Sequence, residues 1–292
     1  MTEHQPISAS DNEAIEEAQP ISAPVVFELI RREGVEELQR PASALIMSAL
    51  VAGLALGFSV LGKALLHAYL PDAPWRPLVE NLGYSIGFLL VIMGQMQLFT
   101  ENTITAVCPL LSDPSARVLN RLLRLWGLVL LFNLIGVSGF SVALLGFEHV
   151  QPEVFAAVLE ISHHAVAAPA GQILLMGVGA GWLIAALVWI MPNAAGAKAF
   201  LIVLVTWLIS LAGFSHVIAG TGEAALLALR GDIGLGQALF GFTIPALIGN
   251  ILGGTVIFTL LIWAQIRTEH ARPEPEFSYD HFWRRNRDAG KA

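Results

Sequence analysis

The sequence predicts an all-α polytopic membrane protein: six transmembrane helices in two inverted halves, with one helix of each half broken. Three observations carry this. Of 292 residues, 55% are hydrophobic and 13% charged, about half the charged share of an ordinary soluble domain. Six apolar runs are long enough for a bilayer core about 30 Å thick, which needs roughly 20 apolar residues per helical crossing. Two of those runs exceed one span, and each holds a polar stretch containing glycine.

The runs are approximately Ala42 to Leu66, Leu78 to Leu111, Leu119 to Gly146, Gly171 to Met191, Ala197 to Leu229 and Leu235 to Gln265. They define a transmembrane transporter domain over 41–265. Before it, residues 1–24 form an acidic tail. Its first seventeen residues carry Glu3, Asp11, Glu13, Glu16 and Glu17 with no Lys or Arg, a composition that stays solvated and disordered. The tail lacks the basic start and apolar run of a cleaved signal peptide, so the first crossing is expected to target the membrane. Residues 25–40 read as an interfacial amphipathic helix, with Val26, Phe27, Ile30 and Leu38 near helical spacing among charged residues. Residues 266–292 form a tail rich in Arg and aromatics, suited to an anionic cytoplasmic leaflet.

Basic residues are retained on the cytoplasmic side of short loops. With the N-terminus inside, that side collects Arg31, Arg32, Arg40, Arg117, Arg121, Arg124, Lys198, Arg267 and the C-terminal cluster, leaving Lys63, Arg76 and Arg230 outside. Both termini are therefore expected in the cytoplasm of a bacterial-type inner membrane. The outside loop from Phe147 to Ala170 has no Lys or Arg.

The third and sixth crossings share a pattern, Phe132-Asn133-Leu134-Ile135-Gly136 and Gly249-Asn250-Ile251-Leu252-Gly253. Three crossings per half make the halves run in opposite directions, the plan of many transporters. The first polar break reads Gly94-Gln95-Met96-Gln97-Leu98-Phe99-Thr100-Glu101-Asn102-Thr103, and the second Ala212-Gly213-Phe214-Ser215-His216-Val217-Ile218-Ala219-Gly220-Thr221-Gly222. Polar side chains and non-helical backbone at membrane depth are tolerated where protein or a water-filled cavity surrounds them. His216, with an ordinary imidazole pKa of about 6.5, exchanges protons in the working range. Glu101 has two readings, a pore-facing carboxylate beside His216 or a helix-end residue at a turn or subunit contact.

Leu98-Phe99-Thr100, Gly213-Phe214 with His216, Gly249-Asn250 and Gly253-Gly254 resemble the formate/nitrite transporter family over essentially the whole membrane domain. The resemblance implies an aquaporin-like six-helix fold and a homopentamer with one pore per protomer. It also implies that Thr100 and His216 face each other across the pore, with Leu98 in the barrier, Tyr84 and Phe88 in the constriction before the first break and Ile209 before the second. Phe99, Glu101, Asn102, Phe214 and Ser215 complete the expected pore lining. The family's vestibule lysine maps near Ala165 and its fourth-helix asparagine falls within Gly177-Val178-Gly179-Ala180-Gly181, so both are replaced here.

The function so implied is a channel or transporter for small monovalent weak-acid anions, which gain a proton near His216 and cross the barrier as neutral acids. A neutral-solute pore is the alternative. An intramembrane enzyme using Ser215, His216 and Glu101 is disfavoured, because adjacent Ser and His are poorly placed as nucleophile and base. The single Cys108 excludes an intrachain disulfide, and adjacent His163 and His164 lack the spacing of a helical metal pair. No catalytic residue, cofactor, metal or nucleic-acid partner is expected. The expected partners are a small monocarboxylate or similar anion, the lipid bilayer and further copies of the chain.

Overall fold

A computed structural model describes Ser8 and residues 19–270. Most of the predicted acidic tail and all but the start of the predicted C-terminal tail lie outside the described residues. Among the described residues, four helices are long and apolar enough to cross a membrane, spanning Ala42–Tyr69, Ala116–Val150, Ala170–Asn193 and Gln237–Thr268. The two remaining apolar runs are each broken into short helices.

The helix expected over 25–40 is α1, Ala23–Gln39. Its buried residues Val26, Ile30, Gly34 and Leu38 recur every four positions, forming one stripe. Val26 and Ile30 pack on Ile104, Cys108, Ala185 and Phe258, so this part of the stripe faces protein. At Gly34 a Cβ would meet the Thr105 carbonyl at 2.0 Å, so the two backbones are in direct contact. On the opposite face Glu28 accepts hydrogen bonds from Arg31 and Arg32, which hold its carboxyl down at about 2.

The first half then runs through α2 (Ala42–Tyr69), α3 (Arg76–Glu80), a 3-10 turn Asn81–Tyr84 and α4 (Ser85–Met93). After the break come a 3-10 turn Glu101–Thr103, α5 (Val107–Ser112) and α6 (Ala116–Leu145). The Ser115 hydroxyl caps α6 by accepting from the Val118 N–H. In the second half, α9 (Ala170–Ile190) precedes α10 (Lys198–Leu211) and α11 (Val217–Arg230), which flank the second break. The last crossing combines α12 (Ile244–Ile251) with π-helical turns Gln237–Thr243 and Leu252–Thr259 and ends in α13 (Leu260–His270).

Between the halves, the stretch from Phe147 to Ala170 is a correction to the expected loop. It folds as α7 (Phe147–Val150) and α8 (Pro152–Val166). The reason is an apolar face, Val154, Phe155, Val158 and Ile161, that α8 buries against α2 and α11. His163 is exposed, with Nε2 3.6 Å from Asp232, and His164 is exposed at the rim of a cavity.

The long helices pack backbone to backbone at small residues, since lipid gives apolar helices no solvent-driven reason to associate. α2 meets α6 at Gly53 and Gly136, where added Cβ atoms would lie 2.2 Å from the Asn133 carbonyl and 2.3 Å from that of Leu50. α9 meets the last crossing at Gly181 and Gly253, with 2.2 Å to the Asn250 carbonyl and 2.1 Å to that of Val178. The same pair of contacts thus recurs in both halves.

Gly181→Ala is expected to force α9 off the last crossing and to destabilise the protein by about 1–3 kcal/mol, the usual cost of overpacking. Thermal unfolding followed by gel filtration checks this against Gly171→Ala, whose added methyl meets nothing within 4 Å.

Candidate functional site

The two breaks share one hydrogen-bond plan. In the first, the N–H groups of Gly94, Gln95 and Met96 donate to the carbonyls of Leu90, Ile92 and Val91; in the second, those of Ala212, Gly213 and Phe214 donate to Leu208, Ser210 and Ile209. Every donor and acceptor is displaced by 118 positions. Each break then turns through one residue of positive φ, Gln95 at 51° and Gly213 at 67°. Glycine fills that conformation without steric cost, whereas a side chain with a Cβ is strained there. Gly94, the glycine of the first break, has φ −81° and ends α4.

An asparagine from the third helix of each half closes the plan. Asn133 Oδ1 accepts from the Phe99 N–H at 2.9 Å, and its Nδ2 donates to the carbonyls of Gln97 at 2.9 Å and Ala49 at 2.8 Å. Asn250 Oδ1 accepts from the Val217 N–H at 2.9 Å, and its Nδ2 donates to Ser215 at 2.8 Å and Gly177 at 2.9 Å. Each amide therefore satisfies a carbonyl, the N–H two residues later and a carbonyl of the first helix of its half. Both asparagines are fully buried. Buried backbone groups freed by a helix break need such partners.

These clamps bring Thr100 and His216 together, with Thr100 Oγ1 2.9 Å from His216 Nε2. His216 caps α11, its Nδ1 accepting from the Ala219 N–H at 3.4 Å. A neutral imidazole that accepts at Nδ1 carries its proton on Nε2. That N–H then donates to Thr100, leaving the threonine hydroxyl proton free for another acceptor. The Phe88 ring meets His216 edge to face at 4.9 Å, and Tyr84 lies 5.4 Å beyond Phe88. Leu98, Phe88 and Ile209 are fully buried in the same apolar core.

A cavity opens on either side of this plug. One, of about 730 Å³, is lined by Tyr84, Phe214, Ser215, His216, Lys63, Glu80 and Glu223 among others. The other, of about 640 Å³, is lined by Leu98, Glu101, Asn102, Gln97 and the α1 residues Glu33, Glu36, Glu37 and Arg40, with Lys198. Phe99 lines neither and packs edge to face on Trp126 at 5.5 Å. Glu101 lines the cavity beside α1 while His216 lines the opposite one, so the two side chains open onto different mouths. Gln97 links that mouth to the break, donating to Glu37 Oε2 at 2.7 Å and accepting from Asn102 Nδ2 at 3.2 Å.

Three features of the site were not drawn from the sequence. The asparagine clamps were visible as a repeated motif, but nothing local said that their amides reach the breaks. Glu223 sits in α11 among apolar residues, a signal that an intramembrane carboxyl gives by itself. Lys63 lies within α2 and lines the same cavity as Ala165, so this vestibule has a lysine supplied by a different helix.

A model of the formate/nitrite transporter family matches residues 24–264. The inner membrane protein YfdC of Escherichia coli K12 is 40% identical over 257 residues, covering 87% of this chain and 82% of YfdC. The uncharacterized transporter YrhG of Bacillus subtilis 168 is 27% identical over 254 residues, 82% of this chain and 92% of its own. Among solved structures, a pentameric formate channel with formate bound aligns at TM-score 0.65 and 22% identity over 77% of this chain and 97% of that one. An FNT family ion channel aligns at 0.69 and 21% over 83% and 98%. With its two broken helices and the plug between two cavities, the chain is a multi-pass membrane channel or transporter. It belongs to the formate/nitrite transporter family.

Asn250→Leu is expected to strand the Val217 N–H and the Ser215 carbonyl in the core, each costing about 1–3 kcal/mol, while the Gly177 carbonyl, inside α9, keeps its helical partner. Asn133→Leu is expected to match it, because it breaks the same three bonds in the other half. Thermal unfolding midpoints in detergent check both the size of the loss and its symmetry.

Proposed function

We propose that the chain passes small monovalent weak-acid anions of the formate and nitrite kind, and that they cross the barrier as neutral acids protonated near His216. The observation that carries this is the Thr100 to His216 hydrogen bond at 2.9 Å, set in an apolar plug between two cavities. An anion entering such a plug must shed water, at a cost of several kcal/mol or more. Proton gain removes most of that cost.

In this reading His216 exchanges a proton or supplies the charge that draws the anion in. The free hydroxyl proton of Thr100 hydrogen-bonds the permeant oxygen, and Leu98, Phe88 and Ile209 form the dry barrier. With each broken pair taken as one crossing, the chain spans the membrane six times. The basic residues put both termini in the cytoplasm of an inner membrane, which makes the cavity beside α1 the cytoplasmic mouth. A homopentamer with one pore in each protomer agrees with the pentameric formate channel that the fold matches.

A second reading, a pore for small neutral solutes, has one observation in its favour. The cavity beside α1 is lined by Glu33, Glu36, Glu37 and Glu101 against Arg40 and Lys198, and that excess of carboxyl groups repels anions at close range.

Proteoliposomes tested with formate, nitrite, acetate, lactate and hydrosulfide between about pH 5 and 8 separate the readings. Flux above empty liposomes for at least one of these is expected. His216→Phe, assembled to the same size, is expected to lose at least about tenfold of it, since one lost interaction of 1.4 kcal/mol already costs that much. No weak-acid flux, with rapid passage of water or another uncharged solute, would establish the neutral pore instead.

A further inference from the structure

The cavity on the His216 side holds a carboxyl that the plug chemistry above does not use. Glu223 is 7% exposed, lines that cavity, and has no side-chain hydrogen bond and no ion pair among the described residues. It shares a face of α11 with Gly220 and follows His216 by seven residues, two helical turns or about 10 Å along the axis. Gly220 lies between them and carries no side chain. All three residues line the same cavity, and the Phe242 ring, which also lines it, packs directly on Gly220.

Glu80, the other carboxyl lining this cavity, makes a useful contrast. Its Oε2 lies 2.8 Å from His67 Nδ1 and 3.5 Å from Arg76 Nε, so it is tied into a cluster at the outer end of α2. Glu223 has no such tether. Its charged neighbour is Lys63, whose Nζ donates to Ser210 Oγ at 3.4 Å, with Ser210 in turn donating to Asn81 Oδ1. A carboxyl with both oxygens unclaimed and a lysine near enough to balance its ionised form accommodates either protonation state without rearranging its surroundings.

On the weak-acid reading, on which this rests, we propose that Glu223 is a proton-exchange residue of the vestibule, loading and unloading the permeant's proton two turns away from His216, with Lys63 as its counter-charge. In the loading direction the Glu223 carboxyl O–H bond breaks as an O–H bond forms on the permeant anion, which leaves as the neutral acid. The Glu223 carboxylate remains near Lys63 and takes a new proton from hydronium in the vestibule water. In the unloading direction the same steps reverse. The other titratable groups lining this cavity are Lys63 from α2, Glu80 from α3, Tyr84 from the turn before α4, His164 from α8 and His216 itself. From Leu125 to Leu145 on α6, and from Gln237 to Ile251, the elements packed on α11 carry none.

Two measurements on the purified full-length protein test this. In proteoliposomes, Glu223→Gln is expected to lose at least about tenfold of formate flux near pH 8, where protons are scarce. Near pH 5 it should keep flux within about threefold of the unaltered protein, and Glu223→Asp should restore the original pH profile. A Glu223→Gln profile that runs parallel to the original at every pH, whether higher or lower, would overturn the proposal, because a purely electrostatic or packing role gives that result. Infrared spectroscopy of the assembled protein supplies a readout independent of flux. A protonated-carboxyl stretch that titrates across the assay range, is absent in Glu223→Gln and moves in frequency in Glu223→Asp is expected. A Glu223 band, identified by the Asp variant even where the Gln variant fails to assemble, that stays constant across that range would also overturn the proposal. Absence of flux in the unaltered protein would instead count against the weak-acid reading, leaving the infrared titration to decide on Glu223.

Discussion

Everything at the centre of this molecule depends on two asparagine side chains that stand in for missing helix. Breaking a helix at membrane depth strands backbone donors and acceptors where no lipid group can partner them. Asn133 and Asn250 each supply one acceptor and two donors at the required places. The glycine contacts between α2 and α6, and between α9 and the last crossing, let the helix backbones approach closely enough for those amides to reach. Helix packing and the breaks are thus one construction repeated twice.

Functional asymmetry enters through side chains set on that symmetric backbone. The shared displacement of 118 positions that relates the breaks pairs Leu98 with His216 and Thr100 with Ile218. An imidazole stands in one half where the other has an apolar side chain, and a hydroxyl where its counterpart is isoleucine. The two polar groups meet across the halves, and the two apolar ones are buried in the same core. The mouths differ as well. The cavity beside α1 gathers the carboxyl groups of that helix and Glu101, while the opposite one combines Lys63 with Glu80 and Glu223.

Much of this was legible in the sequence. Membrane-spanning helices follow from hydropathy and length, and the polar interruptions located both breaks because polar residues at membrane depth need a reason to be there. The resemblance paired Thr100 with His216 before any geometry was available. Three-dimensional relations were harder to read. Glu101 follows Thr100 directly, yet in the 3-10 turn after the break it lines the cavity on the α1 side of the plug, away from His216. α8 was missed because its apolar face is interrupted by charged and histidine residues and it adjoins a loop. Lys63 was counted as an outside charge from its place near a helix end, and only the packing of α2 beside the cavity revealed it as a vestibule residue.

The central claim is that the permeant passes through each protomer between Thr100 and His216. A cryo-electron microscopy structure of the full-length protein in lipid nanodiscs with formate tests it most directly. The account predicts formate density within hydrogen-bonding reach of Thr100 Oγ1 or His216 Nε2, with the Asn133 and Asn250 clamps intact around it. Formate density confined to a site outside the protomer, with none in either cavity or at the plug, would contradict it.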